Sequence, residues 1–163
     1  MAFGVAQWPP SFLLLMQTAQ DVTKRVLVLG VGLGLVMMTI LGIGSSRIPK
    51  IFSSDPAVLG LIAAIWPWVA LSQPVNSLAF VWDGILYGAN GFRYAAKAAV
   101  ICAVPSVACM FYGLQFPSSG TAQLAWVWGG LIVLMAMRIA TLWIPYRRRA
   151  PPFDKLFVKQ ASG

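Results

Sequence analysis

Three uncharged runs constrain this chain more than any other feature. No charged residue occurs from Val26 to Ser46, from Pro56 to Trp82, or from Ala98 to Met137. A bilayer crossing takes roughly 20 apolar residues, so each run can supply at least one. The last can supply most of two, with a break near 116–120. Charged residues make up 10% of the chain, where soluble domains run near a quarter. The expected fold is therefore all-α, a multi-pass transmembrane bundle of four spanning helices at about 24–44, 57–88, 95–114 and 122–144. A partial helix or frayed segment at 1–23 precedes it, and a basic polar tail at 147–163 follows.

The charge that remains is lopsided, with 12 Lys+Arg against 4 Asp+Glu. A net charge of +8 invites a nucleic-acid reading. Here the basic residues lie between apolar spans and do not gather on one module, so nucleic acid is not an expected partner; the lipid bilayer is. Lys24, Arg25, Arg93, Lys97, Arg147, Arg148, Arg149, Lys155 and Lys159 fall to one side of the expected bundle, and Arg47 and Lys50 to the other. Cationic loops stay on the cytoplasmic side. Both termini and the loop near residue 90 are thus expected on the cytoplasmic or equivalent side of an integral membrane protein.

Local signals refine the spans. Gly30 and Gly34 stand in GxxxG register, which permits close helix packing. Asp55-Pro56 reads as a helix start. The span at 57–88 is longer than a bilayer needs, and Pro67 and Pro74 would each remove a backbone hydrogen bond and kink it. Cys102 and Cys109 lie two helical turns apart on one expected helix, about 10 Å, too far to bridge. There is no histidine, and no cluster of metal ligands, nucleophile–base arrangement or carboxylate pair occurs. No metal, no cofactor and no enzymatic activity are expected.

If 73–87 is helical, Gln73, Asn76, Phe80, Asp83 and Tyr87 fall at spacings of three and four and share one face. A polar stripe on a lipid-soluble helix has to face something other than lipid. Gln73, Asn76, Asp83 and Tyr87 are therefore the candidates for a cation or substrate path. For Gln73 and Asn76, interhelical hydrogen bonding is the competing reading. For Asp83 three roles stand open: binding a coupling cation, pairing with Arg138 inside the span expected at 122–144, or sitting at the wet mouth of a cavity.

The stretch SQPVNSLAFVWDGILYGANGFRYAA, from Ser72 to Ala96, resembles the tenth-helix motif of the multidrug and toxic compound extrusion (MATE) transporters. It is most similar to their DinF-like branch of plants and bacteria. Gln73, Pro74, Asn76, Leu78, Ala79, Phe80, Val81, Asp83, Gly84, Gly88, Phe92, Tyr94, Ala95 and Ala96 match that pattern. Asn90-Gly91 replaces the usual Ser-Asp, and Asn76 stands where the NorM branch carries an aspartate implicated in cation coupling. The resemblance implies a twelve-helix protein of two six-helix lobes, of which this chain matches about the last four helices. It implies a secondary transporter exporting organic compounds in exchange for protons or sodium ions, with this chain not competent alone, and for a plant chain it admits a plastid membrane. A small four-helix scaffold or assembly subunit without transport activity is the reading that competes with it.

Overall fold

A computed structural model describes residues 10–115, 120–154 and 157, with side chains from residue 19 onward. Six α-helices account for most of them: α1 Pro10–Ile43, α2 Ile48–Phe52, α3 Pro56–Leu71, α4 Gln73–Gly88, α5 Phe92–Leu114 and α6 Gly120–Arg148, with a short 3-10 turn at Gly44–Ser46. The protein is an all-α membrane helical bundle. Three segments, Ala19–Ser46, Phe92–Leu114 and Gly120–Arg148, are long and apolar enough to cross a membrane, and α3 with α4 passes the same test as one bent pair.

The element boundaries differ from the sequence reading in physically simple ways. The helix expected from residue 24 begins at Pro10, because Lys24 and Arg25 are good helix formers and mark a membrane edge without ending the helix. The stretch between the spans expected at 24–44 and 57–88 contains α2, with Pro49 in its first turn. The single kinked helix expected over 57–88 is two helices bent by 51°. Asp55 caps α3, its carboxylate accepting from the Ala57 N–H at 2.9 Å. The chain continues helically through Pro67, so of the two prolines expected to kink the span, only Pro74 lies at the break. The uncharged turn near 116–119 lies outside the described residues.

Helix α4 lies between α1 on one side and α6 on the other, and α6 also packs along α5 and α3. Gly30 and Gly34 of α1 carry that first contact. A Cβ on Gly34 would stand 2.6 Å from the Pro74 Cα, and one on Gly30 would stand 2.5 Å from Val81 Cγ2. The backbones come this close because no side chain intervenes. Ser77 Oγ donates to the Gly30 carbonyl at 2.6 Å and locks the register. Further along, Trp66 Nε1 donates to the Leu41 carbonyl at 2.8 Å and ties α3 to α1. The α5–α6 seam is built alike: Ser106 Oγ donates to the Gly130 carbonyl at 2.7 Å.

The segment read as a polar tail is not one over its described part. After α6 the chain turns at Arg149, with φ 52°, and brings Phe153 back onto the bundle, where it is fully buried. Phe153 meets Trp82 and Tyr146 edge-on at centroid distances of 6.3 and 5.7 Å, and Phe157 meets Tyr146 at 5.1 Å. Trp82, Leu86, Ala95, Leu142 and Phe153 form the buried core. Two phenylalanines among prolines and charges carry no helical or strand periodicity, so composition alone classed this segment as solvated.

Several of the described basic residues lie toward the end of the bundle that holds the loop after α4. Arg93 and Pro151-Pro152 line a common cleft, and Thr23 near Lys24 shares a groove with Gly88 and Ala89. The loop after α4 is closed there by Asn90 in the left-handed region, φ 57°, with the Gly91 N–H on the Leu86 carbonyl at 3.0 Å, a helix-ending geometry that asparagine tolerates. Cysteines at Phe92 (59% exposed) and Ile51 (78% exposed), in a background with Cys102 and Cys109 replaced, are expected to react with an impermeant thiol reagent from opposite membrane faces, Phe92→Cys from the cytoplasmic or equivalent one. Labelling of both from one face would refute this topology.

Candidate functional site

The break between α3 and α4 sets the geometry of every polar group in this span. Pro74 has no N–H to return to the Ala70 carbonyl, and its ring disfavours helical continuation at the preceding residue. Ser72 joins the two helices. Its N–H reaches the Trp68 carbonyl at 3.0 Å, while its hydroxyl donates to the Val69 carbonyl at 2.9 Å. Gln73 Nε2 donates to the same Val69 carbonyl at 2.9 Å. Backbone groups left unpaired in lipid cost several kcal/mol each; the Ser72 and Gln73 side chains serve the Val69 carbonyl at the break, and the Ser72 N–H turns toward the Ala70 carbonyl that Pro74 leaves. The Asn76 N–H begins α4 on the Ser72 carbonyl at 2.9 Å, and Asn76 Nδ2 lies 3.4 Å from Ser72 Oγ.

The four stripe residues thus separate. Gln73 is held across the break. Asn76 and Ser72 line a cavity of about 120 Å³ against Trp128, Leu131 and Met135 of α6. Asp83, one helical stretch on, pairs with Arg138: both Nη2, at 3.0 Å, and Nε, at 3.1 Å, converge on Asp83 Oδ1. The two side chains retain 15% and 23% exposure, so the pair is mostly withdrawn from the surroundings without being sealed. Tyr87 is 47% exposed and stacks on Phe92 at 5.6 Å, beside the loop. Phe80, on the same face, is 65% exposed. The cavity at Asn76 includes neither Asp83 nor Tyr87.

Arg138 is held from behind. Thr141 Oγ1 donates to the Arg138 carbonyl at 2.9 Å, and Tyr94 OH donates to the Thr141 carbonyl at 2.7 Å. That carbonyl would otherwise lose its helical donor to Pro145, which lies inside α6. Cys102 is fully buried, with its sulfur 3.6 Å from Thr141 Oγ1. Sequence reasoning passed over Ser72, Tyr94 and Trp128. A serine two residues before a mid-span proline is a readable signal, since such carbonyls need donors. The pairing of Tyr94 with the carbonyl freed by Pro145 depends on how α5 meets α6, which no local pattern encodes. Among the described residues there is no group of three or more His, Cys, Asp or Glu side chains placed to hold a metal ion.

Comparison with known proteins shows the family. A family model described as MatE matches residues 16–112. The chain is 40% identical over 122 residues to Protein DETOXIFICATION 42 of Arabidopsis thaliana, covering 75% of this chain and 23% of that protein. It is 39% identical over 120 residues to Protein DETOXIFICATION 43 of the same plant, covering 74% and 22%. It is 36% identical over 134 residues to Protein DETOXIFICATION 44, chloroplastic, also of Arabidopsis thaliana, covering 82% and 25%. The chain thus spans about a quarter of the length of these curated relatives. No solved structure matches it significantly. With a matched model running over most of α1 to α5, and relatives 36–40% identical over about three quarters or more of its length, the chain belongs to the MatE family.

Proposed function

We propose that this chain forms part of a MATE-type secondary transporter that exports organic compounds in exchange for protons or sodium ions. The observation that carries the reading is the broken α3–α4 span, with Ser72, Gln73 and Asn76 at its bend, in a chain of this family. Helices interrupted within the membrane commonly form transport sites, because irregular backbone is tolerated there only where protein or a cavity meets it. In this reading Asn76 contributes to the substrate path. Asp83 is the candidate acid for the coupling cation, which would have to compete with Arg138 for Oδ1. Gln73 supports the bend, and Tyr87 stands at the path's loop end.

The names of these relatives speak of detoxification, which fits export of harmful organic compounds. Two of the four, DETOXIFICATION 44 and 45, are described as chloroplastic, so a plastid membrane is a setting this reading admits. Alone, the chain is expected not to transport, because the exposed face of α4 meets no opposing lobe. The test is a chimera in which residues 72–96 replace their counterpart in a transport-competent DETOXIFICATION relative. Liposomes holding the chimera are expected to show ion-gradient-driven efflux of an organic substrate of that relative, and liposomes holding this chain alone are expected to show none. A folded chimera that stays silent would favour a scaffold role and defeat the transport reading.

A further inference from the structure

The cavity between α4 and α6 holds a group that none of the foregoing uses. Trp128 lines it together with Ser72, Asn76, Leu131 and Met135, and the Trp128 indole N–H is buried with no hydrogen-bond partner. Buried polar atoms in folded proteins are nearly always paired, and an indole can only donate. This N–H cannot coordinate a cation. Of the two other polar groups in the cavity wall, the Asn76 amide, whose Nδ2 lies 3.4 Å from Ser72 Oγ, offers both donors and an acceptor. Ser72 Oγ, already donating to Val69, adds no further hydrogen. No charged side chain lines this cavity, so nothing there would compensate an ion.

We propose that this cavity is a binding site for an uncharged oxygen that accepts a hydrogen bond from the Trp128 N–H and pairs with the Asn76 amide. Its volume of about 120 Å³ exceeds the 10–15 Å³ of such space that one water needs. It falls short of the roughly 300 Å³ at which whole drug-sized ligands begin to fit. The occupant is accordingly ordered water, or the carbonyl or hydroxyl oxygen of a larger organic compound whose remainder lies outside. Leu131 and Met135 give the cavity an apolar wall beside these polar groups. The site does not depend on the transport reading: it stands on the buried donor and the cavity.

The test is indole nitrogen–proton NMR of the protein in lipid nanodiscs, with its seven tryptophans labelled and Trp128→Phe identifying the resonance. The Trp128 proton is expected at a downfield, hydrogen-bonded position, unchanged when ester lipids are replaced by ether lipids that lack carbonyls. Asn76→Leu is expected to move one indole resonance upfield and no other, which also serves if Trp128→Phe does not fold. Magnetisation transfer from water to this proton identifies water as the source. A shift on adding cyclohexanone, absent in Asn76→Leu, identifies an organic carbonyl. A Trp128 resonance at the unbonded position with and without the ketone would overturn the proposal. So would one that follows the lipid carbonyls or ignores Asn76→Leu.

Discussion

Asp83→Asn is expected to lower the amount of folded protein in the membrane, and Arg138→Gln to do the same. Each leaves one member of the 3.0 Å pair charged, or hydrogen-bonding, without its partner. Stranding one partner of a buried pair costs about 3–5 kcal/mol. With 15% and 23% of these side chains still exposed, the cost here is expected on the order of 2 kcal/mol. The double variant should recover part of the loss, giving a coupling energy of about 0.5–3 kcal/mol. The measurement is a double-mutant cycle read by both abundance and transport in the transport-competent context. A coupling-cation role predicts another pattern: Asp83→Asn would keep normal abundance, lose ion-driven flux, and gain nothing from Arg138→Gln. Strict additivity in abundance with transport intact would eliminate both roles.

Phe153→Ala should destabilise the bundle more than any other change after the last helix. Phe153 is fully buried against Trp82 and Tyr146, and deleting a buried phenylalanine costs about 3–5 kcal/mol. It follows α6 at the basic end of the bundle, where its alternative surroundings are water and headgroups, so the hydrophobic term acts in full. Phe92→Ala, at the neighbouring loop and 59% exposed, should change stability by no more than about 0.5 kcal/mol. Thermal unfolding of the two variants in one detergent separates them. Equal melting temperatures would mean that the return of the chain after Arg149 contributes nothing to stability.

What the residues determined by themselves is the class and the membership. Long runs without charge leave helices as the backbone's way to satisfy itself in lipid, and that followed from Val26–Ser46, Pro56–Trp82 and Ala98–Met137 alone. The motif from Ser72 to Ala96 carried the family, since specific residues at fixed spacing survive without any knowledge of packing. Gly30 and Gly34 announced a close helix contact, though not that Val81 and Pro74 would sit against them. The stripe at spacings of three and four was also legible, but what each residue does was not. Periodicity places side chains on one face of a straight helix, and this helix breaks at Ser72. Gln73 turns back to Val69, Asn76 enters a cavity, and Asp83 meets Arg138 from a helix 55 residues away in sequence. Only the tertiary arrangement decided those partners, and it alone drew Phe153 into the core. A lone polar or aromatic side chain is committed by the distant surface that reaches it, and that surface is set by how α4, α5 and α6 pack together.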